Sequence, residues 1–362
     1  MANPASTDRI RLVVLFGGAS AEHDVSCVTA AHVLAAADRS KYELIPVGIT
    51  RDGTWIRNDK AIATLADPNL SLPDALEPEG TEIDPLSALQ RAGDATVVVL
   101  PLLHGPHGED GTVQGMLELA GVPYAGAGVL GSALCMDKAM AKVVTAQSQI
   151  PQCNWIEFQA GSGEIENLIE RAVDTLGLPV FVKPANLGSS VGISKAHDRD
   201  ELGTAIELAL RYDEVVVIEE AVNAREIEVA VLGNRDPRSS VPGEIVPGAE
   251  FYDYEDKYVS GAAGLVIPAD LSDHEVAEVQ QLAKRAFLAL RCAGMARVDF
   301  FYEENSRGWL LNEINTIPGF TSISMYPKLW EASGLGYSDL IDRLVELACE
   351  RHQVRSGFST DH

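Results

Sequence analysis

Two apolar segments near the C-terminus carry polar residues at a spacing of two. Arg297 and Asp299 alternate with apolar residues in the first segment, and Glu313 and Asn315 do so in the second. Because a strand sends residues i and i+2 to the same face, each pair is predicted to emerge side by side. Two such strands joined as a hairpin would present three oxygen donors and one guanidinium to a single point. These oxygens suit Mg²⁺ bound to phosphates, and the guanidinium suits a developing negative charge.

The alternative for this hairpin is a sheet edge whose polar residues face solvent. The flanking residues are large and apolar and are predicted to be buried: Phe300, Phe301, Trp309 and Leu311. A carboxylate among buried neighbours needs a partner, which favours the metal interpretation.

A Gly-Gly loop near the N-terminus, residues 17–26, follows a strand and opens a helix. A dinucleotide site often occupies this position, but the glycine spacing is not GxGxxG and does not predict one. The loop offers helix N-terminal amides to an anion, and Glu22 offers a carboxylate to a cation. An amino acid carries both charges and would satisfy the loop. The alternative is helix capping by Ser20 or Asp24, with Glu22 in solvent.

Lys183 stands at a strand end before a segment rich in glycine and serine, residues 184–192. A lysine point charge next to exposed backbone N–H groups predicts a phosphate-binding loop. It is not a Walker A loop, because the lysine precedes the glycines and no helix follows directly. A plain β-hairpin loop is the alternative. Lys138 would add a second cation for the same phosphates, unless it is an ordinary exposed helix lysine.

Two further segments have a composition suited to ligand binding. Glu219 and Glu220 end an apolar strand and resemble a hinge between domains that offers backbone groups to an adenine edge. Glu226 follows on the next strand, and the alternative for these glutamates is surface charge. Residues 104–111 contain two histidines and two acids, but their spacing matches no zinc pattern. We interpret them as a ligand-facing loop after a sheet strand.

The composition excludes several classes of protein. A net charge of −25 argues against a nucleic-acid or anionic-membrane partner, which would require a basic face. Five scattered cysteines without a CxxC pair are typical of reduced thiols in the cytoplasm. No run approaches 18 apolar residues and the N-terminus lacks an apolar leader, so neither a membrane span nor secretion is expected.

The pattern of apolar runs predicts an α/β and α+β architecture, and the 362 residues suggest two or three domains. The predicted strands are 11–16, 43–50, 95–103, 180–183, 191–194, 215–219, 226–233 and the two hairpin strands. The predicted helices are 24–37, 112–120, 137–148, 164–176, 198–211, 273–290 and two closing helices. The first strand, helix and second strand form a βαβ unit, and 95–103 is predicted to be buried on both faces. Residues 66–86 are predicted to be a solvated excursion, and 248–264 a long polar loop.

Seven motifs in this order give the chain its resemblance to a known family. They lie at residues 16–26, 103–115, 136–138, 182–192, 251–258, 296–299 and 312–324. Together they resemble the D-alanine–D-alanine ligases of the ATP-grasp superfamily. The resemblance implies a three-domain ATP-grasp fold. Its parts would be an N-terminal Rossmann-like substrate domain at 1–127, a central subdomain at 128–218, and a C-terminal subdomain at 219–362 with the metal site and a lid loop at 248–264.

The resemblance also implies a reaction. ATP would phosphorylate the carboxylate of the first D-alanine, and the amine of the second would attack the acyl phosphate. The cofactors implied are ATP and two Mg²⁺ ions, or Mn²⁺ in their place. The metal ligands implied are Asp299, Glu313 and Asn315. The ATP-binding residues implied are Lys138, Lys183, Glu219, Val222, Glu226 and Lys257.

The resemblance assigns the remaining residues to the substrates. Glu22 would hold the ammonium of the first D-alanine, and His104 would line the substrate site. Arg297 and the Gly319 backbone would stabilise the tetrahedral intermediate. Ser189 and Tyr258 would close the lid over the site. Ser324 and Met325 would bind the carboxylate and methyl group of the second D-alanine.

Three alternatives to D-alanyl-D-alanine synthesis remain at this stage. A D-alanine–D-lactate ligase shares the fold but generally carries a different lid, whereas residues 252–258 keep the tyrosine-bearing motif. A non-catalytic ATP-binding relative would not need the intact site. Another ATP-grasp ligase, such as a carboxylase, would not need Glu22 with Ser324. We expect a cytoplasmic homodimer that uses small-molecule substrates, in peptidoglycan precursor synthesis.

Overall fold

The computed structural model describes residues 9–67, 69–90, 96–188, 191–246 and 264–359. Its contacts divide the chain into two compact units. The first unit combines Met1–Gly126 with Ile317–His362, and the second unit is Ala127–Thr316. The chain therefore leaves the first unit once and returns to it after Thr316.

A five-stranded sheet in the order β4-β3-β2-β1-β5 organises the described part of the first unit. Its strands are β1 (Ile10–Gly17), β2 (Tyr42–Ile49), β3 (Trp55–Arg57), β4 (Thr81–Glu82) and β5 (Val97–Pro101). The pairs β1–β2 and β1–β5 are parallel, and the edge strands β3 and β4 are antiparallel. The helices of this unit are α1 (His23–Ala36), α2 (Asp59–Ala66), α3 (Pro85–Ala88), α4 (Thr112–Ala120), α10 (Met325–Ala332) and α11 (Tyr337–Ser356).

The centre of this sheet is covered on both faces. Residues 12–17 of β1 and all of β5 are buried. Parallel strands that are covered on both faces have continuous apolar sequences, and β1 and β5 show this pattern. The predicted βαβ unit and the doubly buried strand are therefore confirmed.

The prediction of a solvated excursion over residues 66–86 is wrong in part. This segment contains β4 and the start of α3, and Leu76 within it is buried. The backbone N–H of Leu76 donates to Cys27 O at 3.1 Å, which anchors the segment to the first half of α1. A single buried leucine has no period, so the sequence pattern could not reveal it.

Two sheets make up the described part of the second unit. The first, in the order β6-β9-β7-β8, contains β6 (Trp155–Gln159), β7 (Val180–Pro184), β8 (Ser194–Ala196) and β9 (Val215–Glu220). The second, in the order β12-β11-β10-β13-β14, contains β10 (Arg225–Gly233), β11 (Arg238–Val246), β12 (Gly264–Val266), β13 (Gly294–Glu303) and β14 (Gly308–Asn315). The helices are α5 (Val129–Met136), α6 (Lys138–Gln147), α7 (Ile165–Leu176), α8 (Arg199–Ala209) and α9 (Asp273–Ala289).

Each sheet of the second unit has its own helical cover and its own core. Helices α7 and α8 pack on the four-stranded sheet, and α9 packs on the five-stranded sheet. The start of α9 is fixed by a capping box in which the Ser272 hydroxyl accepts from Glu275 N, while the Glu275 carboxylate accepts from Ser272 N. The capping box explains why the helix predicted from residue 273 begins there.

The predicted strand at 191–194 is wrong in its position. The structure has a turn at 191–192, and β8 begins at Ser194. Gly192 has a φ of +73°, and a Cβ there would lie 2.7 Å from the Tyr212 ring and 2.9 Å from Pro184. Only glycine tolerates this backbone at such a close approach, so the chain turns where a strand was expected.

The three-domain boundaries at 127 and 218 remain a prediction. The sheet does change between β9 and β10, close to the second boundary, whereas the chain after Thr316 belongs to the first unit. Within the described ranges, no helix is both long and apolar enough to cross a membrane.

Candidate functional site

The polar residues of the predicted hairpin lie on one face of the five-stranded sheet. In the register of β13 and β14, Arg297 lies opposite Asn315 and Asp299 lies opposite Glu313. Asp299 is buried and the other three are half-buried. This arrangement confirms the predicted hairpin and its shared face. The strand β14 does lie at the edge of the sheet, as in the alternative, but the four polar side chains are buried or half-buried and do not simply face solvent.

A β-bulge in β14 produces this arrangement. Leu311 packs in the core, and simple alternation would send Glu313 to the core as well. The pairing with β13 steps from Glu313 directly to Leu311, so Asn312 is an extra residue on β14. The extra residue reverses the faces beyond it. Ile314 consequently enters the core, and Glu313 emerges on the opposite face.

The guanidinium of Arg297 is held by two carboxylates. Its Nε donates to Asp299 Oδ1 at 2.8 Å, and its Nη2 donates to Asp299 Oδ2 at 2.7 Å. Glu228 Oε2 lies 3.0 Å from the same Nε. Burial alone would lower the pKa of Arg297, but the two carboxylates outweigh burial and raise that pKa well above its ordinary value. Arg297 is therefore a fixed and fully charged donor.

Glu228 was not identified from the sequence. It lies on β10 opposite Asp299, so Glu228, Asp299 and Glu313 form one row across three neighbouring strands. The signal that could have found it is the spacing of two between Glu226 and Glu228, with apolar residues between and beyond them. Glu226 alone is identified from the sequence, and the structure shows that both side chains belong to the polar face.

The side chains of this face have the chemistry of a divalent-metal site. Asp299, Glu313 and Asn315 offer hard oxygen donors, as Mg²⁺ prefers, and the acids on the face outnumber Arg297. In the part of the chain that the structure describes, no three His, Cys, Asp or Glu side chains converge as a metal-binding group. The predicted set needs only two carboxylates, because its third ligand is an amide. The donor set therefore fits a metal held together with phosphate oxygens.

A cluster of two lysines and one glutamate lies on the four-stranded sheet and α6. Lys183 Nζ donates to Glu219 Oε2 at 2.7 Å, and Lys142 Nζ lies 3.0 Å from Glu219 Oε1. All three side chains are buried. Lys183 Nζ also lies 3.4 Å from Asn312 Oδ1, which connects this cluster to the bulge.

The charges of this cluster stabilise one another. Burial would raise the pKa of Glu219, but Lys142 and Lys183 outweigh it and lower that pKa to about 2. Burial likewise opposes the charge of Lys183, yet Glu219 raises its pKa above the ordinary value. Two cations facing one anion leave an excess positive charge, which suits an anionic ligand such as a phosphate. Sequence reasoning missed Lys142, although it lies one helical turn after Lys138 on α6.

Lys138 begins α6 beside the predicted phosphate loop. Its backbone N–H donates to Ala185 O at 3.0 Å, and its Nζ donates to Leu187 O at 2.7 Å. Asp137 caps the helix by accepting from Met140 N at 2.9 Å. Lys138 is half-buried against this loop and is not an exposed helix lysine.

The residues predicted for adenine and ribose lie where the two sheets of the second unit join. The carboxylate of Glu219 is engaged by the two lysines, so its side chain is not available to adenine in this arrangement. Val222 lies in the short connection between β9 and β10, and Glu226 lies on the polar face of β10. Backbone groups of the connection remain the predicted adenine contacts.

Glu22 belongs to the loop that joins β1 to α1 in the first unit. It is the residue before the first turn of α1, and it is 8% exposed, so the alternative with Glu22 in solvent is wrong. Its Oε2 lies close to Gly105, where an added Cβ would come within 3.2 Å of it. Ser26 ties the loop to the sheet, since its hydroxyl accepts from Gly17 N and donates to Leu102 O.

The loop that begins at His104 is hydrogen-bonded to Ile317, where the chain returns to the first unit. His104 Nδ1 donates to Ile317 O at 3.0 Å, which fixes a proton on that nitrogen. Glu109 Oε2 accepts from Gly105 N at 2.7 Å, and its Oε1 accepts from Ile317 N at 3.3 Å. Glu109 was not identified from the sequence. It bridges the loop after β5 and the segment that leads to Gly319.

Gly319, Ser324 and Met325 lie together in the first unit. Ser324 is the N-cap of α10, and an added Cβ on Gly319 would lie 3.2 Å from Ser324 Oγ. The hydroxyl of Ser324 accepts from Thr321 N at 3.1 Å rather than from the first turn of its own helix. This leaves the N-terminal amides of α10 as a place for a carboxylate. Met325 is buried as the first residue of α10.

The predicted site residues therefore fall into two groups. Those in the first unit are Glu22, His104, Gly319, Ser324 and Met325. Those in the second unit are Lys138, Lys183, Glu219, Val222, Glu226, Arg297, Asp299, Glu313 and Asn315. Ser189, Lys257, Tyr258 and the lid loop up to residue 263 lie outside the described residues.

Comparison with known proteins gives one family for most of the chain. The sequence model described as "D-ala D-ala ligase N-terminus" matches residues 11–127, and the one described as "D-ala D-ala ligase C-terminus" matches residues 144–346. The chain belongs to the D-alanine–D-alanine ligase family. A D-alanine–D-alanine ligase from Caldicellulosiruptor bescii is 48% identical, with 97% of this chain and 98% of the relative covered.

Two solved ligase structures resemble the fold closely. The D-alanine–D-alanine ligase from Coxiella burnetii has a TM-score of 0.80 at 37% identity, with 96% of each chain covered. The VanG D-Ala:D-Ser ligase from Enterococcus faecalis has a TM-score of 0.78 at 35% identity, covering 94% of this chain and 99% of that one. The expected ATP-grasp fold is thereby confirmed. The second structure shows that ligases of this fold differ in their second substrate.

Proposed function

We propose that this enzyme joins two D-alanine molecules to D-alanyl-D-alanine and releases ADP and phosphate. The γ-phosphoryl group of ATP passes to the carboxylate of the first D-alanine, giving an acyl phosphate. The amine of the second D-alanine attacks the acyl carbon, loses a proton, and phosphate leaves. The observation that carries this proposal is the register of β13 and β14 in a member of this ligase family. Arg297 lies opposite Asn315, and Asp299 lies opposite Glu313.

Lys138 and Lys183 bind the phosphates of ATP in this proposal. The support is their position on either side of the loop after β7, together with the excess positive charge around Glu219. Arg297 stabilises the negative charge of the tetrahedral intermediate, since its guanidinium is rigidly held and fully ionised. The family motif assigns the backbone of Gly319 to the same intermediate.

Asp299, Glu313 and Asn315 would hold two Mg²⁺ ions, or Mn²⁺ in their place. When bound, the metal would offset the negative charge of the phosphates. The protein's own contribution is to keep these oxygen donors on one face of the sheet, which the bulge at Asn312 achieves.

The residues of the first unit bind the two D-alanines. Glu22 receives the ammonium of the first D-alanine, and its burial strengthens that ion pair. His104 lines the same part of the site. The carboxylate of the second D-alanine binds at Ser324 and the N-terminal amides of α10, and its methyl group packs on Met325.

The remaining assignments rest on the family motifs. Val222 and Glu226 contact adenine and ribose, together with the backbone at Glu219. The same motifs assign Lys257 to the γ-phosphate and assign Ser189 and Tyr258 to lid closure. Water must be excluded while the acyl phosphate exists, because it would otherwise hydrolyse. We place the enzyme in the cytoplasm as a homodimer that supplies the dipeptide for peptidoglycan.

The test is product analysis with ATP, Mg²⁺ and D-alanine as the sole amino acid. Mass spectrometry should show D-alanyl-D-alanine, with one ADP formed for each dipeptide. Parallel reactions with D-lactate or D-serine as the competing second substrate should still give mainly the dipeptide of D-alanine. Formation of ADP without dipeptide, or preference for D-lactate or D-serine, would overturn the proposed activity.

A further inference from the structure

Glu228 is a buried carboxylate with no role in the proposed reaction so far. It is 5% exposed and lies in the middle of β10, opposite Asp299. A carboxylate in such a position is retained only with compensating partners, because burial opposes its charge. Its ion-pair partner is Arg297, the residue to which the proposed function assigns the stabilisation of the intermediate.

Glu228 and Asp299 compete for one hydrogen of Arg297. The Nε atom of a guanidinium carries a single N–H. That N–H donates to Asp299 Oδ1 at 2.8 Å, while Glu228 Oε2 lies 3.0 Å from the same Nε. Only one of the two carboxylates can receive this hydrogen fully at a time, and in this structure Asp299 does.

Asp299 has a second assigned task that conflicts with this contact. Both of its oxygens accept from Arg297, and the same oxygens are the proposed donors to a divalent cation. A metal ion and a guanidinium on the same carboxylate repel each other. Arg297 would then lose part of the hydrogen bonding that holds it, at the stage when its position matters most for the reaction.

We propose that Glu228 is a positioning residue that takes over the Nε–H of Arg297 when Asp299 turns to the metal. The guanidinium then stays in place and keeps a buried negative partner throughout the catalytic cycle. This inference rests on the proposed function, because it uses the metal-binding role of Asp299 and the role of Arg297 in the reaction.

Glu228 is poorly placed to be a metal ligand itself. It lies two strands away from Glu313, which separates their backbones by about 10 Å at ordinary strand spacing. Among the described residues, three acidic side chains do not converge on one metal position. Its charge is turned toward Arg297, so holding that guanidinium is the role that the geometry supports.

The first test is a metal-free double-mutant cycle on thermal stability with Glu228→Gln and Asp299→Asn. If either carboxylate can hold Arg297 alone, each single variant lowers the melting temperature modestly, and the double variant lowers it by more than the sum. Additive losses would overturn the proposal. Glu244→Gln is the matched control, because Glu244 pairs with Arg225 on the same sheet away from the site, and it should be additive with Asp299→Asn.

The second test separates positioning from metal binding. Glu228→Gln should lower kcat by about 10- to 100-fold, the usual effect of losing a group that orients a functional residue, with the KM for ATP nearly unchanged. Glu228→Asp, which keeps the charge, should recover part of that loss. Binding of Mn²⁺ in the presence of ADP, followed by electron paramagnetic resonance, should be unaffected. A weakened Mn²⁺ affinity would make Glu228 a ligand, and an unchanged kcat would make it merely structural; either result overturns the proposal.

The two levels of inference fail in different ways. If the wild-type enzyme forms no dipeptide, the proposed function fails, whatever the variants show. If the wild type forms dipeptide but the stability cycle is additive, only the role of Glu228 fails. Should Glu228→Gln not fold, Glu228→Asp carries the same cycle, with a smaller excess expected because the shorter side chain still bears the charge.

Discussion

At the scale of single residues, charge balance decides how the lysine cluster responds to substitution. Glu219 is 3% exposed and faces Lys142 and Lys183, both at ion-pair distance. Removing the one anion leaves two buried cations, whereas removing one lysine leaves a neutral pair. The three residues are therefore not equivalent, although each takes part in a buried ion pair.

We expect Glu219→Gln to destabilise the protein by about 3–5 kcal/mol, the range for a buried charge left without its partner. Lys142→Met should cost clearly less, because Glu219 and Lys183 remain matched. Urea unfolding of the two variants and the wild type measures this order. Equal losses in both variants would contradict the charge-balance argument.

The same glutamate predicts how this difference depends on pH. Its pKa falls from 4.5 to about 2 in the folded protein. Because the folded pKa is lower than the unfolded one, the charge of Glu219 stabilises the fold above about pH 4.5, and this stabilisation is lost as the pH falls toward 2. The gap in melting temperature between wild type and Glu219→Gln should therefore shrink from pH 6 to pH 3. A constant gap would show that Glu219 is not ionised in the fold.

We expect Asp299→Asn and Glu313→Gln each to lower kcat/KM by at least about 100-fold, since even groups that only orient a metal ligand are worth about 10- to 100-fold. The amides keep the shape, so the folded fraction should change far less than the activity. Glu304→Gln, in the exposed turn of the same hairpin, is the control and should retain activity. Wild-type activity in either site variant would show that the hairpin binds no essential metal.

At the scale of elements, the bulge in β14 decides which side chains reach the polar face. Residues before the bulge send odd-numbered side chains to the core, and residues after it send even-numbered ones. The same extra residue, Asn312, brings its side chain within 3.4 Å of Lys183 Nζ. One extra residue therefore sets which side chains of β14 reach the polar face, and it also connects that face to Lys183.

Deletion of Asn312 should leave Glu313 on the polar face and retain part of the activity, because regular alternation after Leu311 in the core then sends Glu313 to the opposite face and Ile314 to the core. Asn312→Ala keeps the bulge and loses only the contact with Lys183, so it should fold normally and retain part of the activity. Circular dichroism melting and dipeptide assays of both variants check this pair. A deletion variant that loses all activity while Asn312→Ala retains it would contradict this account of the faces.

At the scale of the whole molecule, the last part of the chain completes the first unit. Helix α11 places Arg351 over the Tyr124 ring at 4.1 Å, where it donates to the backbone oxygens of Tyr124 and Gly126. Elsewhere in the first unit, Lys41 and Tyr42 both donate to the carboxylate of Asp342. These contacts join parts of the first unit that are more than 200 positions apart in the sequence.

We expect Arg351→Met to destabilise the first unit by about 1–3 kcal/mol, since it leaves two carbonyl groups without their charged donor. Hydrogen exchange should rise in β5 and α11, while exchange in the second unit should stay unchanged. Arg355→Met on the next turn removes only an exposed ion pair with Glu118 and should have little effect. Faster exchange in both units would show that they unfold together.

Several features could be predicted from the sequence because they depend on local patterns. The βαβ unit follows from two apolar runs around a helix, and the pairing of the hairpin follows from two alternating segments near each other in the chain. The shared face of Arg297 and Asp299 follows from strand geometry alone. The family motifs then supplied the reaction, which no pattern of burial could have given.

The tertiary structure decided what depends on contacts between distant residues. The burial of Glu219 between two lysines, the pairing of Glu228 with Arg297, and the return of the chain at Ile317 join residues far apart in sequence. The bulge at Asn312 is local, yet alternation alone predicts the opposite face for Glu313. The face of Glu313 is decided by tertiary packing. Ile314 packs in the core and the Glu313 carboxylate stays out of it, because burying an apolar side chain is favourable and burying an unpaired charge is not.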